Sequence, residues 1–203
     1  RQRQMCIRDS SNVAIGYLAA HNLTTGDYNV AIGHDSLAAL TTIGQITAVG
    51  RAALMANTSG TQNVAIGYGA MQNNTSGGSN TALGYSALLT NTTGHRNTAV
   101  GRDALYYGNG DDNTAVGNEA LENNTGSSNT GIGGDALHAN TGGYSNTAVG
   151  SDALAANTGG YKNTAMGVNA LASNTTGNYN TAVGEAALIS ADSNNNTAVG
   201  YKA

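Results

Sequence analysis

Five acids recur at one phase of a repeating pattern, each next to the Ala-Leu pair of its copy, or to Ser36-Leu37 in the second: Asp35, Asp103, Glu119, Asp135 and Asp152. One carboxylate per copy is a device of calcium-binding repeats, but the nonapeptide spacing of those turns is absent, and Ca²⁺ needs six to eight oxygens. Other copies put Ala52, Gly69, Ser86 or Asn169 at the same phase, so the acids read as a solvated face. GNGDD at residues 108–112 is the best single stretch for a cation. The histidines, His21, His34, His95 and His138, fall at scattered phases, whereas a zinc site or a His-based catalytic group needs convergence. No nucleophile elbow or phosphate-cradling Gly loop occurs. The expectation is a non-enzymatic chain without cofactor, metal or catalytic residues.

The tyrosines do show a pattern. Tyr17, Tyr68, Tyr85 and Tyr201 each follow a recurring Gly, while Tyr28, Tyr144, Tyr161 and Tyr179 sit just before the next copy. Of these, Tyr68, Tyr85, Tyr144, Tyr161 and Tyr179 are candidate ligand contacts, able to stack on a sugar or pack on a partner protein; the plainer reading makes them half-buried caps over Gly corners.

What must position these residues is the repeat itself, whose clearest copy is NTAVGSDALAANTGGYK at residues 146–162. Copies open at Asn12, Asn29, Ile46, Asn63, Asn80, Asn97, Asn113, Asn129, Asn146, Asn163, Asn180 and Asn196, in steps of seventeen with three of sixteen. Numbered from the opening residue, position 1 is Asn in eleven of twelve copies, position 3 Ala in eleven and position 5 Gly in all twelve. Positions 2 and 4 are β-branched or apolar, a period of two that predicts a short strand. Positions 8 and 9 are Ala-Leu almost throughout, and positions 12 to 15 carry NTTG-type turn chemistry. A helix fails on spacing, because an apolar stripe at 2, 4 and 9 with Gly at 5 and 15 makes no face at 3.6 residues per turn.

The expected fold is all-β: a parallel β-solenoid of about twelve 17-residue coils, with one short NTAVG strand per coil and a second strand around the Ala-Leu pair. Stacking supplies each coil with the partner it cannot find within itself. The expected core is Val100, Leu105, Val116, Leu121, Val149, Leu154, Leu171, Val183 and Leu188. Asn80, Asn97, Asn113, Asn129, Asn146, Asn163 and Asn180 are expected to form an amide ladder, and Asn at position 12 another. Gly84, Gly101, Gly117, Gly133, Gly150, Gly167 and Gly184 are expected at corners with positive φ or close backbone approach. Leu23, Leu40 and Ile46 replace ladder Asn in the first copies, exchanging amide for apolar contact.

Composition fits this picture. The chain lacks Pro, Trp and Phe, and only 10% of its residues are charged, so large side chains cannot build a globular core. Residues 1–10 (RQRQMCIRDS) match no part of the repeat and read as a leader of sequencing-adapter origin, with residues 11–203 as a single array cut from a longer protein. Of 8 basic and 12 acidic residues, that leader holds three and one, leaving 5 against 11, a net of −6. No basic stripe for nucleic acid remains. No run approaches the eighteen apolar residues of a membrane span, so membrane insertion by this segment is not expected. Ice binding asks for a regular paired Thr face, and position 14 interrupts one with Ser59, Ser76 and Gly142.

The units NVAIG and NTAVG followed by xxAL resemble the head repeats of trimeric autotransporter adhesins, and the longer NTAVGxxALxxNTTG form resembles repeats of bacterial surface proteins and phage tail fibres that precede an endosialidase-type chaperone domain. The resemblance covers residues 12–203 and implies a left-handed β-roll, a homotrimer, and an extracellular place on a bacterial surface or virion tail. It also implies a structural or adhesive rod, touching a host-surface protein or glycan. The alternative is a solenoid that binds glycan, ice or calcium directly along its ladder. For a second subunit, the position 3 Ala column is the expected strip of close approach.

Overall fold

The computed structural model describes residues 11–203; the expected leader lies outside the described residues. The described residues form a parallel β-solenoid with twelve three-residue strands, one per coil, running from β1 (Val13–Ile15) to β12 (Thr197–Val199) in strict sequence order. Each strand pairs in parallel with the next, in phase with the repeat. In β9 (Thr147–Val149) and β10 (Thr164–Met166), for instance, Thr147 opposes Thr164 and Ala148 opposes Ala165. At about 4.8 Å per step, the eleven steps make a rod about 53 Å long.

The strand faces the opposite way from the sequence-based expectation. Ala148 and its equivalents from Ala31 to Ala182 are fully buried, whereas Val116 is 36% exposed and Val100, Val149 and Val183 are partly exposed. These four valines are therefore outward residues. The cause is the thinness of the coil: a single Leu at position 9 fills its middle, with Leu105, Leu121, Leu154 and Leu171 all at 0%. Only Ala fits opposite it, and in a strand of period two the flanking residues must then point out. Leu188, in the last coil to carry this Leu, packs on the core and remains partly exposed.

The second expected strand is also replaced. From position 5 to position 12 the chain runs through three overlapping turns, closed in the ninth coil by Ala153 N–H to Gly150 O, Ala155 N–H to Asp152 O, and Asn157 N–H to Leu154 O. Positions 7 and 9 are left-handed throughout, with φ of 56° at Asp152 and 53° at Leu154. Alternating handedness makes donors leave this wall along the rod: Leu154 N–H reaches Ala170 O and Ala156 N–H reaches Ala172 O in the next coil. A turn-built wall thus satisfies its backbone as a sheet does, without extended residues.

In coils four, five and seven to ten, two Asn bolt the walls together. Asn146 Nδ2 and Asn157 Nδ2 both donate to Gly160 O, at 2.8 and 3.0 Å. At position 12 the amides form the expected ladder, Asn157 Nδ2 to Asn140 Oδ1 at 2.6 Å and Asn174 Nδ2 to Asn157 Oδ1 at 3.1 Å. The position 1 column differs. Its Oδ1 accepts chiefly from the backbone of the next Asn, as from Asn163 N–H to Asn146 Oδ1 at 3.0 Å and from Asn97 N–H to Asn80 Oδ1 at 2.8 Å. All seven expected ladder residues, Asn80 to Asn180, are at most 1% exposed.

The corner glycines have φ between 131° and 146°. A Cβ on Gly150 would lie 2.6 Å from the carbonyl group of Gly167, so this corner excludes any side chain on two counts. In the NTGG turn it is Gly160, not Gly159, that is pinched; a Cβ on Gly159 meets nothing within 4 Å.

Candidate functional site

Stacking places equal phases of successive coils side by side, which converts the acids from scattered residues into a column. Asp103, Glu119, Asp135 and Asp152 occupy four consecutive coils, all left-handed with φ of 53° to 57°. Asp tolerates this conformation better than most side chains, giving the position a local preference for it. Beside them runs position 10, carrying Tyr106, Glu122 and His138 in coils six to eight. His138 Nδ1 lies 3.3 Å from Glu122 Oε2 and 3.6 Å from Asp135 Oδ1. Burial pushes the Glu122 carboxyl above the usual carboxylate range; His138 opposes the rise, and Glu119, Asp103 and Asp135 add to it.

Two other histidines also meet polar neighbours. His34 Nδ1 contacts Asp35 Oδ2 at 2.7 Å, and His95 Nδ1 accepts from Gly78 N–H at 2.9 Å. Sequence phase already held this signal: Glu119 and Asp135 share one position, Glu122 and His138 another, and stacking makes neighbours of each pair.

GNGDD, the stretch favoured from sequence for a cation, uses its polar groups elsewhere. Asp112 pairs with Arg96 through Nε and Nη2 at 2.6 and 2.9 Å, and that side-chain hydrogen bond holds the Asp112 carboxyl below its ordinary range. Asp111 Oδ1 accepts from His95 N–H at 2.8 Å. In a full-length coil the Thr175 carbonyl takes the N–H groups of Thr158 and Gly159. In the shortened sixth coil, Asn109 Oδ1 receives Thr92 and Thr93 N–H instead, at 3.1 and 3.0 Å. Asp192 does the same in another shortened coil, taking Thr175 and Thr176 N–H at 2.9 and 2.8 Å. A side-chain oxygen makes good the missing residue.

The five candidate tyrosines form coil-to-coil pairs. Tyr68 and Tyr85 lie parallel with centroids 5.2 Å apart, and Tyr144 and Tyr161 at 4.8 Å, with Tyr179 edge-on to Tyr161 at 5.4 Å. Tyr68, Tyr85, Tyr144 and Tyr179 are 43% to 53% exposed and Tyr161 is partly buried. Their outer edges offer aromatic surface, while each stacked face is already covered by a neighbour.

The sheet presents a line of apolar side chains on the outside. Ile66, Leu83, Val116, Ile132 and Met166 at position 4 are 36% to 46% exposed, in line along the rod beside the Val and Thr column of position 2. Where Ile46 breaks the Asn column, a shallow depression of about 370 Å³ opens between Thr25, Asp27, Tyr28, Ile43, Gln45 and Thr61. No helix among the described residues is long and apolar enough to cross a membrane.

The fold and these surfaces define the class, a parallel β-solenoid built on a seventeen-residue coil. No family model, no curated protein and no solved structure matches the chain.

Proposed function

We propose that the chain is a non-enzymatic structural and adhesive rod of an extracellular bacterial surface protein or virion tail, associating as a homotrimer. The observation that carries this reading is the unbroken parallel register from β1 to β12, which makes length and stiffness the property the sequence specifies most fully. The sheet face supports association. A strip about 53 Å long and about 10 Å wide gives roughly 500 Å² of mixed Val, Ile and Thr surface, in the range of exposed patches that are often functional. It replaces the position 3 Ala column as the contact strip, because those alanines are inside the coil. The resemblance of NTAVGxxALxxNTTG to adhesin and tail-fibre repeats points the same way.

A second reading, direct ligand binding along the rod, is favoured by the exposed edges of the Tyr68–Tyr85 and Tyr144–Tyr161 stacks. Glycan-array binding, thermal hysteresis and a calcium-dependent rise in melting temperature separate the two. The rod predicts none of the three for this chain; a positive in any one replaces it with the second reading.

A further inference from the structure

We propose that Glu119, Asp135 and His138 form a first-row transition-metal site, with Zn²⁺ as its reference ion, clipping the seventh coil to the eighth. One ligating atom from each of the three lies within 4.8 Å of the other two, close enough for one ion to touch all three. Zn²⁺ bonds to imidazole nitrogen and carboxylate oxygen are about 2.0–2.2 Å long, so atoms bound to one ion lie up to about 4 Å apart, and a small rotamer adjustment closes the set.

The cluster is more than a group of acids. Its imidazole Nδ1 is buried and makes no hydrogen bond. Glu122 Oε2 is at 3.3 Å and Asp135 Oδ1 at 3.6 Å, near enough for charge contact yet out of hydrogen-bond geometry. A buried nitrogen that neither donates nor accepts is costly, and a cation between it and the carboxylates removes that cost. Glu122, whose Oε2 lies 3.3 Å from His138 Nδ1, is placed to be a fourth ligand or to hold the imidazole.

The donor set narrows the class of ion. An imidazole nitrogen with two or three carboxylates suits a first-row transition metal, while Ca²⁺ requires six or more oxygens. Access is open, since the Asp135 side chain is 43% exposed and that of His138 34%. The backbone of each ligand is held by a hydrogen bond: Glu119 N–H to Arg102 O and Asp135 N–H to Asn118 O between coils, and His138 N–H to Asp135 O within a turn.

The test is a titration of the untagged full chain with Zn²⁺ and with Co²⁺, read by calorimetry, by the visible spectrum of bound Co²⁺ and by melting temperature. Expected are one saturable site per chain, a rise in melting temperature with Zn²⁺, and at least ten-fold weaker binding in His138→Ala and in the paired Glu119→Gln, Asp135→Asn variant. His21→Ala and Cys6→Ser should bind as the parent does. No saturable binding by the parent leaves an ion pair only and overturns the site. So does binding that survives His138→Ala, or that disappears in His21→Ala or Cys6→Ser. Loss of binding in a variant that retains the parent's ion-free melting temperature is loss of the site alone.

Discussion

Asn157 donates its side-chain amide to Oδ1 of Asn140, 2.6 Å away and one coil back, while its own Oδ1 receives the amide of Asn174. Every member of this column is fully buried. Water cannot replace a missing rung, so the cost of removing one is set by the partners it strands. Asn157→Ala should destabilise the chain by about 1–3 kcal/mol, read as a lower denaturant midpoint. Asn157→Leu should do no better, although Leu is the buried residue at the same phase in Leu23 and Leu40. There two leucines face one another; a single Leu between Asn140 and Asn174 leaves both amides short of a partner.

The two glycine classes should separate in a simple pair of variants. Gly150→Ala meets a φ of 133° and the Gly167 carbonyl group, so the conformation alone costs roughly 1–3 kcal/mol and the overlap adds to it. Gly159→Ala meets no atom and should be neutral, or more stable by up to about 1 kcal/mol through the unfolded chain. Comparable losses in both would remove the corner argument.

Asp192 makes the stability depend on acid. The Thr175 hydroxyl, with the N–H groups of Thr176, Thr175 and Gly177, holds its carboxyl far below the ordinary range. A depressed carboxyl stabilises the fold above its unfolded value, and that contribution is lost as pH falls through the folded one. Asp192→Asn should therefore melt below the parent at pH 7, with the gap closing from about pH 4 downward. Asn109 shows that an amide oxygen can occupy this position, so the variant should still fold at pH 7. A gap that is constant with pH would contradict the assignment.

The period, the corner glycines and the buried Asn columns are legible in the sequence because each is written as one invariant residue at one phase. The inward face is not. Thr147 and Val149 look like core beside Ala148, since burial ordinarily favours the larger side chain; in a coil only one Leu thick, the smaller residue takes the inside. Leu154 in the left-handed region also defies expectation, because Leu rarely adopts positive φ, and its regular alternation with position 7 is what turns an expected strand into turns. The acid and histidine cluster lay in phase all along: Glu119 above Asp135 and Glu122 above His138 become neighbours once the coils are stacked.

The outward sheet face is the feature on which the proposed homotrimer depends most, because it is the surface through which chains would associate. Sedimentation equilibrium of the folded chain, alone and with Ile66→Asp and Ile132→Asp together, tests it directly. The homotrimer predicts a mass three times that of the 20.3 kDa chain, falling to a single chain in the double variant with the β-rich circular dichroism unchanged. A folded parent that sediments as one 20.3 kDa chain would contradict the account.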